Sequence, residues 1–211
     1  MKNIISIMNK SILTIALAAL GLLANATPPG KLSTTLKISA DQSNLKWHAK
    51  KVTGEHFGTL KFKSGEIITD QNKLVGGTFT MDMTALDVTD LTGEWKEKLI
   101  GHLKSDDFFS VQKHQTSVLT IKKATPIPGA TGTDNKNNYT IVADLTVKGI
   151  TKEVQFPALV VVNKGKVTAK ADFNIDRTLY DIRYGSKSFF ADIGDKAIDN
   201  DFNIKVFIVA Q

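Results

Sequence analysis

GEWKEKLIGHLKSDDFFS, residues 93–110, decides how the chain is read. Trp95, Leu99 and Leu103 recur every four residues and form an apolar stripe, while Glu94, Lys96, Glu97 and Lys98 lie off it. It is the only sizeable helical pattern beyond the N-terminal region. Elsewhere the pattern is strands and turns, so the stripe has only a sheet to be buried against. The expectation is a helix that acts as a lid on a sheet curled round it.

On the N-terminal side of the helix, Leu45, Trp47 and Ala49 alternate with Lys46, His48 and Lys50. Gly58, Leu60 and Phe62 repeat the pattern, and Ser64-Gly65 reads as a turn. Asp70-Gln71-Asn72 is a second turn, after which Val75, Gly77, Phe79, Met81 and Met83 share a face. On the C-terminal side, Leu119 and Ile121 alternate with polar residues, and 126–138 is a Pro/Gly/Asn/Asp hairpin loop. Tyr139–Val147 and Val154–Val162 are joined through a Lys148-Gly149 turn. Pro157 within the second run argues for an edge position or a bulge. Asn163-Lys164-Gly165 turns again into Val167–Ile175. Residues 176–200 are irregular, and Phe202–Ala210 closes the chain.

About eight or nine strands in meander order follow, each with one apolar face. There is no βαβ rhythm, repeat or linker. Such a sheet must close or stack, so the fold class is all-β: an antiparallel barrel of about eight strands with one helix as its lid. The inward faces mix large residues (Trp47, Phe62, Phe79, Met81, Leu145, Phe156, Phe173, Phe202, Ile204) with small ones. Ala49, Gly58, Gly77, Ala143, Ala158, Ala169 and Ala171 are the small positions. Two readings stay open. Either small interdigitates with large in a filled core, or alanines floor a cavity walled by aromatics. With Trp95 and Leu99 from the helix, the large residues and Ala143, Ala169 and Ala171 are the candidate ligand-binding positions.

The 211 residues carry 27 Lys and Arg, 21 Asp and Glu, and no Cys. Residues 1–26 read as a cleaved secretory signal peptide: Lys2 and Lys10, an apolar Ile12–Leu23 run, and an Ala24-Asn25-Ala26 cleavage box. Residues 27–35 read as a flexible tether and 36–211 as the barrel domain. Cleavage lowers the formal charge from +6 to +4, because the leader carries two Lys and no acid. No basic block suits nucleic acid. Without Cys there is no disulfide, no c-type haem attachment and no lipoprotein anchor. The expectation is a soluble periplasmic protein with no stable membrane insertion after cleavage; a homodimer is compatible with it.

Catalytic and metal signals are weak. His48 and His56 have no third ligand spaced with them, and His102 suits a helix C-terminus. Asp192, Asp195, Asp199 and Asp201 lack calcium-loop spacing. Nucleophile-elbow, phosphate-loop and dinucleotide motifs are absent. No cofactor, metal or catalytic residue is expected.

Several stretches together carry a family resemblance: Trp47-His48, KVTGEHFGTLKFKSGEI (51–67), GHLKSDDFFSVQKH (101–114), YTIVADLTVKGITKEVQFP (139–157) and Asp176-Arg177. The chain resembles the YceI-like, lipocalin-like family of exported bacterial proteins. Gln115 stands where the family usually has Pro, and segment 184–202 is longer than the minimal pattern. The resemblance implies an extended barrel whose apolar lumen holds a polyisoprenoid or similar lipid, and no catalytic residues. A fatty acid or fatty amide binder, a filled-barrel envelope stress or interaction protein, and a lipid-acting enzyme using His102 and Asp106 are the alternatives.

Overall fold

Alternating residues become strands with few exceptions. The computed structural model describes residues 33–211. It contains β1 (Ser33–Lys37), β2 (Asn44–Lys51), β3 (Gly54–Asp70), β4 (Lys73–Val88) and α1 (Gly93–Lys104). Then come β5 (Thr116–Pro126), β6 (Tyr139–Val147), β7 (Ile150–Asn163), β8 (Lys166–Asp176) and β9 (Ile198–Ala210). The expected signal peptide lies outside the described residues. β1 begins at Ser33, inside the stretch expected to be tether, because its backbone pairs with β3.

β2 to β9 pair antiparallel in chain order, and β9 pairs back onto β2, which closes an eight-stranded barrel. β1 is the extra strand. β3 is long enough to be shared: its first part pairs with β2 and its last five residues with β1. A 3-10 turn at Ala40–Gln42 offsets β1 from β2, so the two act as one broken strand between β3 and β9. The Ser64-Gly65 turn expected from sequence is therefore absent. Gly65 lies within β3, where the partner changes, and Ile38 N–H donates to its carbonyl at 3.0 Å. Register shifts along β3 and β4 supply the curvature that closure needs.

Three turns have the geometry of two-residue hairpins. Gln71-Asn72, Lys148-Gly149 and Lys164-Gly165 all have positive φ at both positions. That backbone twist matches the twist of the strands they join.

Pro157 takes an edge position, as expected, within a strand that is otherwise paired on both sides. It marks the place where the β7–β8 ladder stops: pairing runs from Asn163↔Lys166 to Ala158↔Ala171 and goes no further. Beyond it, β7 pairs with β6 alone.

The barrel has two unlike ends. The turn end carries the 71–72 and 164–165 turns and the 127–138 loop. Its floor is made of fully buried Ile67, Val167 and Ala210 with Leu74. The helix end carries the β2–β3 hairpin, α1, the 148–149 turn and the long 177–197 segment.

Candidate functional site

The apolar faces enclose a cavity of about 180 Å³ that runs from Leu74 and Ile208 to Phe108 and Arg177. The lining is almost wholly apolar. Phe156 and Phe173 stack with ring centres 4.0 Å apart, and Phe62 meets Phe79 edge-on at 6.4 Å. Ser117, Lys170, Arg177 and Asp199 are its polar members.

The structure brings together Trp47, Phe62, Phe79, Met81, Leu145, Phe156, Ala169, Ala171, Phe173, Phe202 and Ile204 around this space. Three expected positions lie elsewhere. Ala143 is fully buried against neighbouring side chains and does not reach the cavity. Trp95 is 72% exposed, with the Lys98 ammonium 5.2 Å from its ring, and Leu99 is only half-buried and off the cavity. The reason is helical geometry. Steps of four residues overshoot a 3.6-residue turn, so the stripe rotates about 80° between Trp95 and Leu103. Only Leu103 ends up facing the lumen. α1 lies against β4 at the rim, held by Lys96–Asp87 at 2.8 Å and by Lys104 Nζ donating to Thr84 O.

The small residues divide into two groups. Ala49, Ala158, Ala169 and Ala171 border open space. Gly58 and Gly77 make room for neighbours: a Cβ on Gly58 would sit 1.9 Å from Asp87 O and 2.7 Å from the Trp47 ring. That close approach lets Trp47 lie across β3 and donate from Nε1 to Asp87 O at 3.1 Å.

The closing role expected of the helix belongs to the residues after it. Ser105 caps the last turn, its Oγ donating to His102 O at 2.8 Å. Phe109 N–H donates to Leu103 O and Val111 N–H to Lys104 O, folding the chain back under α1. Ser110 takes a left-handed φ and its hydroxyl donates to Asp106. Phe108 and Phe109 thereby turn into the lumen. His102 and Asp106 do not form an acid/base pair. Asp106 accepts from Lys113 and Ser110, which hold its carboxyl below the usual range. His102 instead packs edge-on to Phe108 (5.1 Å) and Tyr184 (4.5 Å). Among the described residues no group of three His, Asp or Glu could hold a metal. His48 contacts Glu55, and His56 contacts Asp90.

Arg177 is the site residue that periodicity missed. It is buried, yet it lines the cavity. Its Nε donates to Asp199 O, Nη1 to Ile182 O and Tyr184 O, and Nη2 to Ile198 O, at 2.8–3.1 Å. Its guanidinium also lies 5.8 Å from the Phe108 ring. Burial lowers its pKa, while Asp176 and Asp199 oppose that shift. One cation thus ties the 177–197 segment to the barrel rim. The only advance signal was the Asp176-Arg177 pair in the family pattern.

The profile of the YceI-like domain matches residues 36–210. The chain belongs to the YceI-like family. Solved structures share the YceI-like barrel at low identity. Burkholderia cenocepacia BcnA is 19% identical, with TM-score 0.65 over 82% of this chain and 99% of that one. A polyisoprenoid binding domain from Saccharophagus degradans, described as implicated in plant cell wall breakdown, is 12% identical, with TM-score 0.57 over 83% and 97%. The Campylobacter jejuni YceI protein is 17% identical, with TM-score 0.52 over 71% and 82%. No curated protein matches the chain. No helix among the described residues is long and apolar enough to cross a membrane.

Proposed function

We propose that this YceI-like protein is a periplasmic carrier that holds a polyisoprenoid or isoprenoid-quinone type chain in its barrel lumen. The observation that carries the reading is the apolar cavity running most of the barrel's length, bordered by Ala49, Ala158, Ala169 and Ala171. Methyl branches need a wider bore than a straight acyl chain, and these alanines leave it. Each buried methylene contributes about 0.8 kcal/mol, so a long chain is held with few polar contacts. The Saccharophagus relative, named for polyisoprenoid binding, supports the ligand class. The Lys2-to-Ala26 leader pattern supports export. The dissolved His102–Asp106 pair speaks against the enzymatic alternative.

Thermal unfolding with added ligand tests this. A ligand bound by the native state alone stabilises by about 2.7 kcal/mol at a hundredfold excess over Kd. A rise in Tm with polyprenol, larger than that with a fatty acid, is expected. A Tm unmoved by polyprenol, farnesol and fatty acid alike would return the filled-barrel reading.

A further inference from the structure

The helix end concentrates exposed apolar side chains. Val52, Trp95, Leu179, Tyr184, Phe189 and Phe190 are each between 45% and 72% exposed there. The turn end has only Val75 and Val161 among the described large apolar residues. The register places these groups together. Lys51 of β2 pairs with Ile198 of β9, and Asp176 of β8 pairs with Asp201 of β9. Val52 N–H donates to Ala197 O, and Ile198 N–H to Gly185 O. His102 of α1 touches Tyr184 at 4.5 Å. The 184–198 segment, the end of β2 and the last turn of α1 therefore meet on this rim, and exposed apolar surface gathered at one end marks an interaction site.

Two observations connect this rim to the lumen. Phe108 lines the cavity and lies 5.7 Å from exposed Tyr184, so an apolar path leads from inside to outside. The barrel wall also opens towards this end. β7 and β8 lose their hydrogen bonds beyond Ala158↔Ala171, and the stacked Phe156 and Phe173 rings fill that gap. Side chains can rotate out of such a seam without breaking a ladder.

We infer that the helix end docks on a phospholipid bilayer, with the Trp95 and Phe189-Phe190 rings in the head-group layer, and that lipid enters and leaves the lumen through the rim. The inference rests on the carrier reading, since a chain of that chemistry resides in a membrane. Aromatic side chains beside cations are the residues that settle at membrane interfaces. Here Lys98 lies over Trp95 and Arg183 lies 4.8 Å from the Phe189 ring. Both cations have carboxylate partners, Glu94 and Asp181. Insertion of rings, not net charge, therefore drives the contact, and it should survive high salt.

The test is co-flotation of the full chain with phosphatidylethanolamine–phosphatidylglycerol vesicles. The wild type is compared with F189D/F190D, W95A and the turn-end variant V161S. All four substituted side chains are exposed, and unchanged far-UV spectra and Tm confirm that the variants fold. Losing two inserted rings should lower the bound fraction at least about tenfold. W95A should lower it several-fold, and V161S should match the wild type. Trp fluorescence of the bound wild type should shift to the blue, and the shift should disappear in W95A. No flotation of the wild type, or flotation that F189D/F190D leaves intact, would overturn the proposal. So would a rim that only self-associates, seen as a dimer that F189D/F190D dissolves without any vesicle binding. Lipid content of the same preparation is measured separately: loss of vesicle binding with lipid still in the barrel defeats docking alone, and an empty barrel defeats the carrier reading.

Discussion

The two ends of the barrel are closed by different physics. At the turn end, closure rests on tight turns and neutral hydrogen bonds. The Gln71-Asn72 and Lys164-Gly165 turns reverse the chain with the left-handed pairs that hairpins require. Asn138 then mimics a strand residue, exchanging two 2.8 Å hydrogen bonds with the Val160 backbone. At the helix end, closure rests on a long connection built round a buried charge. Within the 21-residue connection between β8 and β9, one buried guanidinium binds four carbonyls, two of the connection itself and two at the start of β9. A barrel end made of turns is specified by local backbone geometry. An end centred on one buried cation, and faced with exposed rings, has more to lose from a single substitution.

The largest effect expected follows from that asymmetry. Arg177→Met leaves four carbonyls without their charged donor, and hydrogen bonds to charged groups contribute about 1.5–3 kcal/mol each. Partial rescue by water brings the expected loss to roughly 4 kcal/mol in chemical denaturation. Asn138→Ala, which removes two neutral bonds at the turn end, should cost about half as much. Equal costs would erase the proposed difference between the ends.

Next come two alanines that the alternation pattern treats alike. Ala143 is enclosed by neighbours, so Ala143→Phe should overpack and cost about 1–3 kcal/mol. Ala169 borders the cavity, so Ala169→Phe has space: stability should hold while polyprenol binding is lost. Destabilisation of both by the same amount would mean a lumen already filled.

The smallest effect concerns Tyr180, whose buried hydroxyl has no partner among the described residues. Burial pushes its pKa up to about 12. The folded state then keeps a proton that the unfolded chain releases near pH 10, so stability is lost as pH rises from about 10 to about 12. Tyr180→Phe should be neutral or slightly stabilising below pH 10 and should remove that part of the alkaline decline. A clear loss of stability at neutral pH would show that the hydroxyl has a partner after all.

The strands, their order and three of the turns were legible because period-two alternation and left-handed turn residues are local signals. The wall of the lumen was legible for the same reason: Phe62, Phe156, Ala169 and Ile204 face inward as the pattern requires. What failed was whatever depended on three-dimensional neighbours. Trp95 looked buried because spacing of four resembles a stripe, yet the rotation of a real helix carries it to the surface. Ser64-Gly65 looked like a turn, but β1 and β2 share β3 across it. Gly58 looked like cavity floor, but Trp47 occupies that space. Arg177 had no periodic signal, only its place in the Asp176-Arg177 pair of the family pattern, since a buried charge satisfied by backbone carbonyls has no period in sequence.

The central claim is that the lumen holds an isoprenoid-type chain. The direct measurement is organic extraction and mass spectrometry of the protein taken gently from the periplasmic fraction, with its intact mass recorded alongside. The account predicts a polypeptide starting at Thr27, and an extract with one dominant lipid built of five-carbon units, near one per protein, that is absent from Ala169→Phe. A periplasmic protein that yields no lipid, or that yields the same mixed lipids from wild type and Ala169→Phe, would contradict it.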